Sequence, residues 1–135
     1  MSLILSFTSS NFPVLEQVGG KALALMQMTA IGMPVPHGLV LTVGFFEPWM
    51  EILKQSTAWE SLNTNYGITG ASEALRVLCN TLELTVSQRR QLDQALGVFR
   101  AEAGEFLFAV RSSSPDEDME GASFARGYET TLGVR

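Results

Sequence analysis

One cysteine, Cys79, and one histidine, His37, are all that 135 residues offer of the side chains most used for covalent cross-links and for transition-metal ligation. A disulfide within the chain is excluded, and the two residues by themselves cannot build a metal site. Positive charge is also scarce. Nine Lys and Arg face fourteen Asp and Glu, for a formal net charge of −5, which argues against a general nucleic-acid or anionic-membrane surface. Any cationic site must therefore be local. No apolar run approaches the about 18 residues of a membrane span, and the N-terminus has neither the basic start nor the long apolar stretch of a secretion signal. The expectation is a soluble, cytoplasmic protein with no nucleic-acid and no membrane partner. Internal repeats and low-complexity segments are missing as well. What remains is 46% hydrophobic and 17% charged, a globular composition whose length suits one domain with a core that needs no disulfide or metal.

Along the chain, Leu3 to Phe7 is a short apolar run that predicts a first strand. Asn11 to Pro13 reads as a turn, and a helix is expected to begin near Gly20 and run through Ala22 to Ala30. Leu25, Met28 and Ile31 recur at helical spacing as its core face, and Gly32, Pro34 and Pro36 supply the stop. Gly38 to Thr42 predicts a buried strand, with Thr42 as the cap of a helix carrying Phe45, Phe46, Trp49, Ile52 and Leu53. These aromatic residues, with Trp59, read as core and not as an adenine platform. Gln55 to Ala71 is polar and turn-rich, a connection over the surface. Ala71 to Leu82 predicts a helix that takes Cys79 into the core. Thr85 and Gln88 form a capping-box signature for the next helix, whose stripe is Leu92, Leu96 and Phe99 and whose end is Gly104.

The chemically distinctive stretch is FLFAVRSSSPDEDMEGASFARGYETTLGV, Phe106 to Val134. An apolar run, Phe106 to Val110, is followed at once by Arg111 and three serines, the way a buried strand delivers a cation and hydroxyls to its end. Pro115, the acidic cluster Asp116, Glu117, Asp118 and Glu120, and the small run Gly121 to Ser123 follow. Tyr128 to Val134 reads as a second strand. Arg111 must either reach solvent or find an anion. Its planar fork suits phosphate oxygens, and the acidic cluster offers an internal salt bridge as the alternative.

The second distinctive place is Gly19, Gly20 and Lys21, where open N–H groups and the helix dipole favour an anion and glycine lets a phosphate approach closely. The bland alternative is an exposed lysine after a turn. It is not a Walker A loop, which would require glycine where Leu15 stands and a hydroxyl where Ala22 stands. Ser112, Ser113, Ser114, Ser123 and Thr130 add hydroxyls, although turn capping is the commoner use of any one serine. The run of acids reads as solvated surface in preference to a magnesium site.

Two blocks in this order resemble a known family. GGKALALMQMTAIGMPVPHGLVLT is similar to its opening GGKGANLAEM, G, PVP, GFV and threonine. VRSSS, the acids, GASFARGYET and LGV are similar to its VRSSA, acids, GASFAGQYET and LNV. On these residues the chain resembles the N-terminal nucleotide-binding domain of the phosphoenolpyruvate synthase and pyruvate phosphate dikinase family.

The resemblance implies an α+β fold, the first subdomain of an ATP-grasp nucleotide-binding domain, with a mixed sheet and packed helices over residues 1–135. It implies ATP as ligand, held through its phosphates by Lys21, Arg111, Thr130, Gly20, Ser123 and Arg126, with no catalytic residue in this chain. Mg2+ would be held by ligands outside the chain. Phosphate would pass to a histidine in a later domain, so His37 is a turn residue and not that histidine. The partners implied are the remaining lobe and the histidine domain of a longer enzyme. Alone, the chain would then be inactive and open to self-association through the uncovered lobe interface. Arg126 departs from the pattern, standing where the family has glycine, and adds a long cation to the phosphate cover. The rival reading is a non-catalytic, stand-alone module of the same fold that binds an anion or a protein.

Overall fold

The computed structural model describes residues 2–62, 68–104, 107–115 and 130–135. In chain order it contains β1 (Ile4–Ser6), α1 (Leu15–Ala30), β2 (Leu39–Leu41), a 3-10 turn (Val43–Phe46), α2 (Glu47–Lys54), α3 (Thr57–Ser61), α4 (Ile68–Cys79), α5 (Val86–Ala103), β3 (Phe108–Arg111) and β4 (Thr130–Val134). Helices and small sheets together make an α+β chain. Both sheets are two-stranded and antiparallel, β1 with β2 and β3 with β4, so the expected mixed sheet does not form among the described residues. The chain divides into two compact units, one made of Met1–Gly44 with Gln91–Arg135 and the other of Phe45–Arg90.

In the first unit, β1 and β2 pair with Leu5 opposite Val40. Their ladder is extended by Phe7 N–H to the Gly38 carbonyl and Thr42 N–H to the Leu3 carbonyl, each 3.0 Å. Thr42 is not a helix cap. Its hydroxyl also donates to the Leu3 carbonyl at 3.0 Å, which satisfies a buried polar group at the end of the strand. Val18, Ala22 and Met26, four residues apart on α1, pack with Val40 as the core, and Leu5, Phe7 and Leu23 close around them. The buried stripe therefore differs from the expected one. Ile31 lies past the end of α1 and is 77% exposed, whereas the small Ala22 lets the helix sit close to its neighbours. Burying a side chain such as Met26 completely contributes about 1.5–3 kcal/mol.

The rest of this unit follows from α5 and the last two strands. Phe99 on α5 is buried, packs at 5.5 Å from Phe108 and meets the exposed His37 ring edge-on at 6.4 Å. Gly104, with φ of 88°, donates its N–H to the Arg100 carbonyl and ends the helix as expected. β3 pairs with β4 through Phe108 opposite Val134 and Arg111 opposite Thr130, with an irregularity between Phe108 and Val110. β3 is not the buried strand its apolar run suggested. Ala109, Val110 and Arg111 are exposed, because a two-stranded ribbon covers its edges with one neighbour only and no further layer lies on this face among the described residues.

The second unit is helical. α2, α3 and α4 pack together, and Ser56 caps α3 by accepting the Trp59 N–H at 3.2 Å. The polar 55–71 stretch is thus partly helical, its short helix started by that serine. Phe45 is buried and stacks edge-on with Phe46 at 5.1 Å; Trp49 lies 5.2 Å from Phe46 and donates its indole N–H to the Glu83 carbonyl. Cys79 is exposed at the end of α4 and is not a core residue. The Thr85 and Gln88 capping box forms, with bonds of 2.8 and 3.1 Å, and the buried Gln88 amide reaches further to donate to the Phe45 carbonyl at 2.8 Å.

Candidate functional site

The site begins with a break in α1. Gly19 adopts φ 80° and ψ 165°, a region essentially restricted to glycine, so the helix is two segments and the second starts at Gly20. The expected helix start is there, preceded by one helical turn from Leu15. Gln17 holds that turn by accepting the Val14 N–H at 3.1 Å.

Against this break lies the segment that leaves β3. Gly20 N–H donates to the Ser114 carbonyl at 3.0 Å, and Ala22 N–H donates to Ser113 Oγ at 3.0 Å. Lys21 Nζ donates to the Ser112 carbonyl at 3.2 Å. A Cβ on Gly19 would stand 2.5 Å from the Ser113 carbonyl carbon and Oγ and 2.6 Å from Ser114 N. Gly19 must be glycine twice over, for its dihedral angles and for the space.

These contacts correct the expectation that the amides at the helix start lie open to an anion. The N–H groups of Gly20 and Ala22 are donated to the chain itself, and the close approach that glycine permits is that of Ser113. The cap comes from 91 residues away, so no local pattern in the helix sequence announces it. The only signal was the conjunction of two glycines before Lys21 with three serines after Arg111.

The Lys21 amino group bonds the residue that follows Arg111, and Arg111 is exposed opposite Thr130 at the end of the ribbon. Gly20 and Lys21 are thus bonded to serines that follow Arg111, and Arg111 pairs with Thr130. An ammonium carries three donors and a guanidinium five. Such a pair suits an anion with several oxygens, polyphosphate above all. Ser123, Arg126 and the Asp116 to Glu120 cluster lie outside the described residues. No helix among the described residues is long and apolar enough to cross a membrane.

Residues 15–135 match the family described as pyruvate phosphate dikinase, AMP/ATP-binding domain. The chain is 29% identical over 125 residues, 87% of its length, to a probable phosphoenolpyruvate synthase of Methanocaldococcus jannaschii. It is 30% identical over 120 residues, 89% of its length, to an uncharacterized phosphotransferase of Bacillus subtilis. A rifampicin phosphotransferase of Bacillus cereus is 31% identical over 140 residues, covering 98% of this chain. The chain spans only 10–18% of the length of the curated relatives it matches. No solved structure matches it.

Proposed function

Since the chain belongs to the pyruvate phosphate dikinase AMP/ATP-binding domain family, we propose that it is the ATP-binding N-terminal piece of a phosphoenolpyruvate synthase-like phosphotransferase. In this reading the fold is the first subdomain of an ATP-grasp domain. Lys21, Arg111, Thr130 and Gly20, with Ser123 and Arg126, hold the nucleotide phosphates, and the phosphate is passed to a histidine in a later domain. The remaining lobe and that histidine domain are its covalent partners, and the protein works in the cytoplasm. Its relatives' names include both phosphoenolpyruvate synthases and rifampicin phosphotransferases, so the acceptor is a property of regions beyond this piece.

The observation that supports the reading most is the 3.2 Å bond from Lys21 Nζ to the carbonyl of Ser112, the residue that follows Arg111. Gly20 contributes by tying down Ser114 through its N–H, in keeping with a supporting part in the site. Among the described residues no group of three His, Cys, Asp or Glu gathers to hold a metal ion. In this reading the ligands of Mg2+ lie outside this chain.

Calorimetric titration with ATP tests the reading. Charge-assisted bonds to phosphate contribute about 1.5–3 kcal/mol each, so Lys21→Ala and Arg111→Ala are each expected to weaken ATP binding by the complete enzyme roughly tenfold or more. Unchanged affinity in both variants would refute the assignment.

A further inference from the structure

We propose that Ser113 is a positioning residue of the nucleotide site, acting through the helix that carries Lys21 and not by touching phosphate. The proposal rests on the ATP-binding reading above and adds a residue to it. Among the described residues, bonds from Gly20, Lys21 and Ala22 reach the serines of the other block, and these are not equivalent. The Gly20 to Ser114 bond ends on backbone atoms at both ends and survives any side-chain substitution. The Lys21 to Ser112 bond runs through a long flexible side chain, which follows the backbone instead of fixing it. A single backbone bond fixes a point and leaves a pivot. The Ala22 to Ser113 bond removes that pivot, and it depends on a short side chain, one rotamer from its own backbone.

The positions sharpen this. Gly20 and Ala22 flank Lys21, so the two bonds on either side of it set the direction in which the lysine leaves the helix. Ser113 lies two residues from Arg111, so the same bond sets the spacing between the cations. The contact is partly buried and packed against a glycine with no room for a Cβ, which holds the hydroxyl in place without help from solvent. Ser113→Ala removes the acceptor, adds no volume, and leaves the Ala22 N–H without its partner.

The test is a double-mutant cycle read by ATP affinity on the whole chain, with wild type, Ser113→Ala, Lys21→Ala and the double variant, each titrated at a temperature where it is fully folded by circular dichroism. Ser113→Ala is expected to weaken ATP binding roughly threefold to tenfold when Lys21 is present and to have no further effect once Lys21 is gone. A merely structural role would weaken both backgrounds equally, and that result overturns the proposal. Equal affinity of wild type and Ser113→Ala overturns it too, while leaving the ATP-binding reading standing. Absence of ATP binding by the wild type would overturn both, a distinct outcome. If Ser113→Ala does not fold, Ser113→Cys keeps the size with a weaker acceptor, and a smaller loss of the same Lys21-dependent kind is expected; no loss overturns the proposal.

Discussion

Replacing Gly19 with alanine tests the architecture of the site at its tightest point. The dihedral angles of φ 80° and ψ 165° are retained only at a cost of about 1–3 kcal/mol for a residue with a side chain. The new Cβ would also sit 2.5 Å from the Ser113 carbonyl carbon, a backbone atom that cannot swing away as a side-chain tip does. Relief requires the 113–114 backbone to retreat, which breaks the bonds from Ala22 and Gly20, worth about 0.5–1.5 kcal/mol each. Together these effects amount to about 2–6 kcal/mol, against a total stability of about 5–15 kcal/mol for an ordinary domain. Gly32→Ala is the matched control, since Gly32 has a similar φ of 84° with nothing within 4 Å of a would-be Cβ. It should cost only the backbone term, about 1 kcal/mol. Urea unfolding measures both, and amide hydrogen exchange at Gly20 and Ala22 reports whether the loss is local to the break. If Gly19→Ala costs no more than Gly32→Ala, the close approach of Ser113 is not the reason for the glycine and the clasp is misread.

Met26→Ala should destabilise the first unit by about 2–5 kcal/mol, since Met26 is wholly buried in the α1 core; an urea midpoint within error of the wild type would contradict that packing. Gln88→Ala removes one partner from the capping box and from the Phe45 carbonyl at once, and a loss of about 1–3 kcal/mol is expected in the second unit, read by exchange of the Gln88 and Arg89 amides. Cys79 is exposed, so it should react with a thiol reagent at full stoichiometry in the native protein without denaturant; protection until unfolding would restore it to the core.

The local features were the legible ones. The Thr85 and Gln88 box and the Gly104 stop are written within four residues of where they act, and both formed as the sequence suggests. β1 and β2 were legible as short apolar runs. Burial was harder to read, because it depends on what packs against an element. The Phe106 to Val110 run has the composition of a covered strand, yet Val110 lies open on a ribbon of two strands. Cys79 sits in an apolar helical pattern whose exposed side it happens to occupy. Leu25 and Met28 on α1 and Ile31 just past its end are larger than Ala22, yet Ala22 faces the core with Val18 and Met26. For the site, the two blocks were visible and their convergence was expected. Their means of joining was not. Serine as a cap for a helix 91 residues upstream has no signature in either block alone.

The bond from Gln88 to the Phe45 carbonyl has a consequence for how this chain can change length. Phe45 opens the second unit and Gln88 stands near its close at Arg90, so a side chain ties its entrance to its exit. A segment whose two ends adjoin behaves as a cassette. Such a segment can be lengthened, shortened or lifted out with a brief bridge in its place, because the chain on either side is asked to span little distance. The strands and glycines that bring Lys21 to Ser112 all lie in sequence outside residues 45–90.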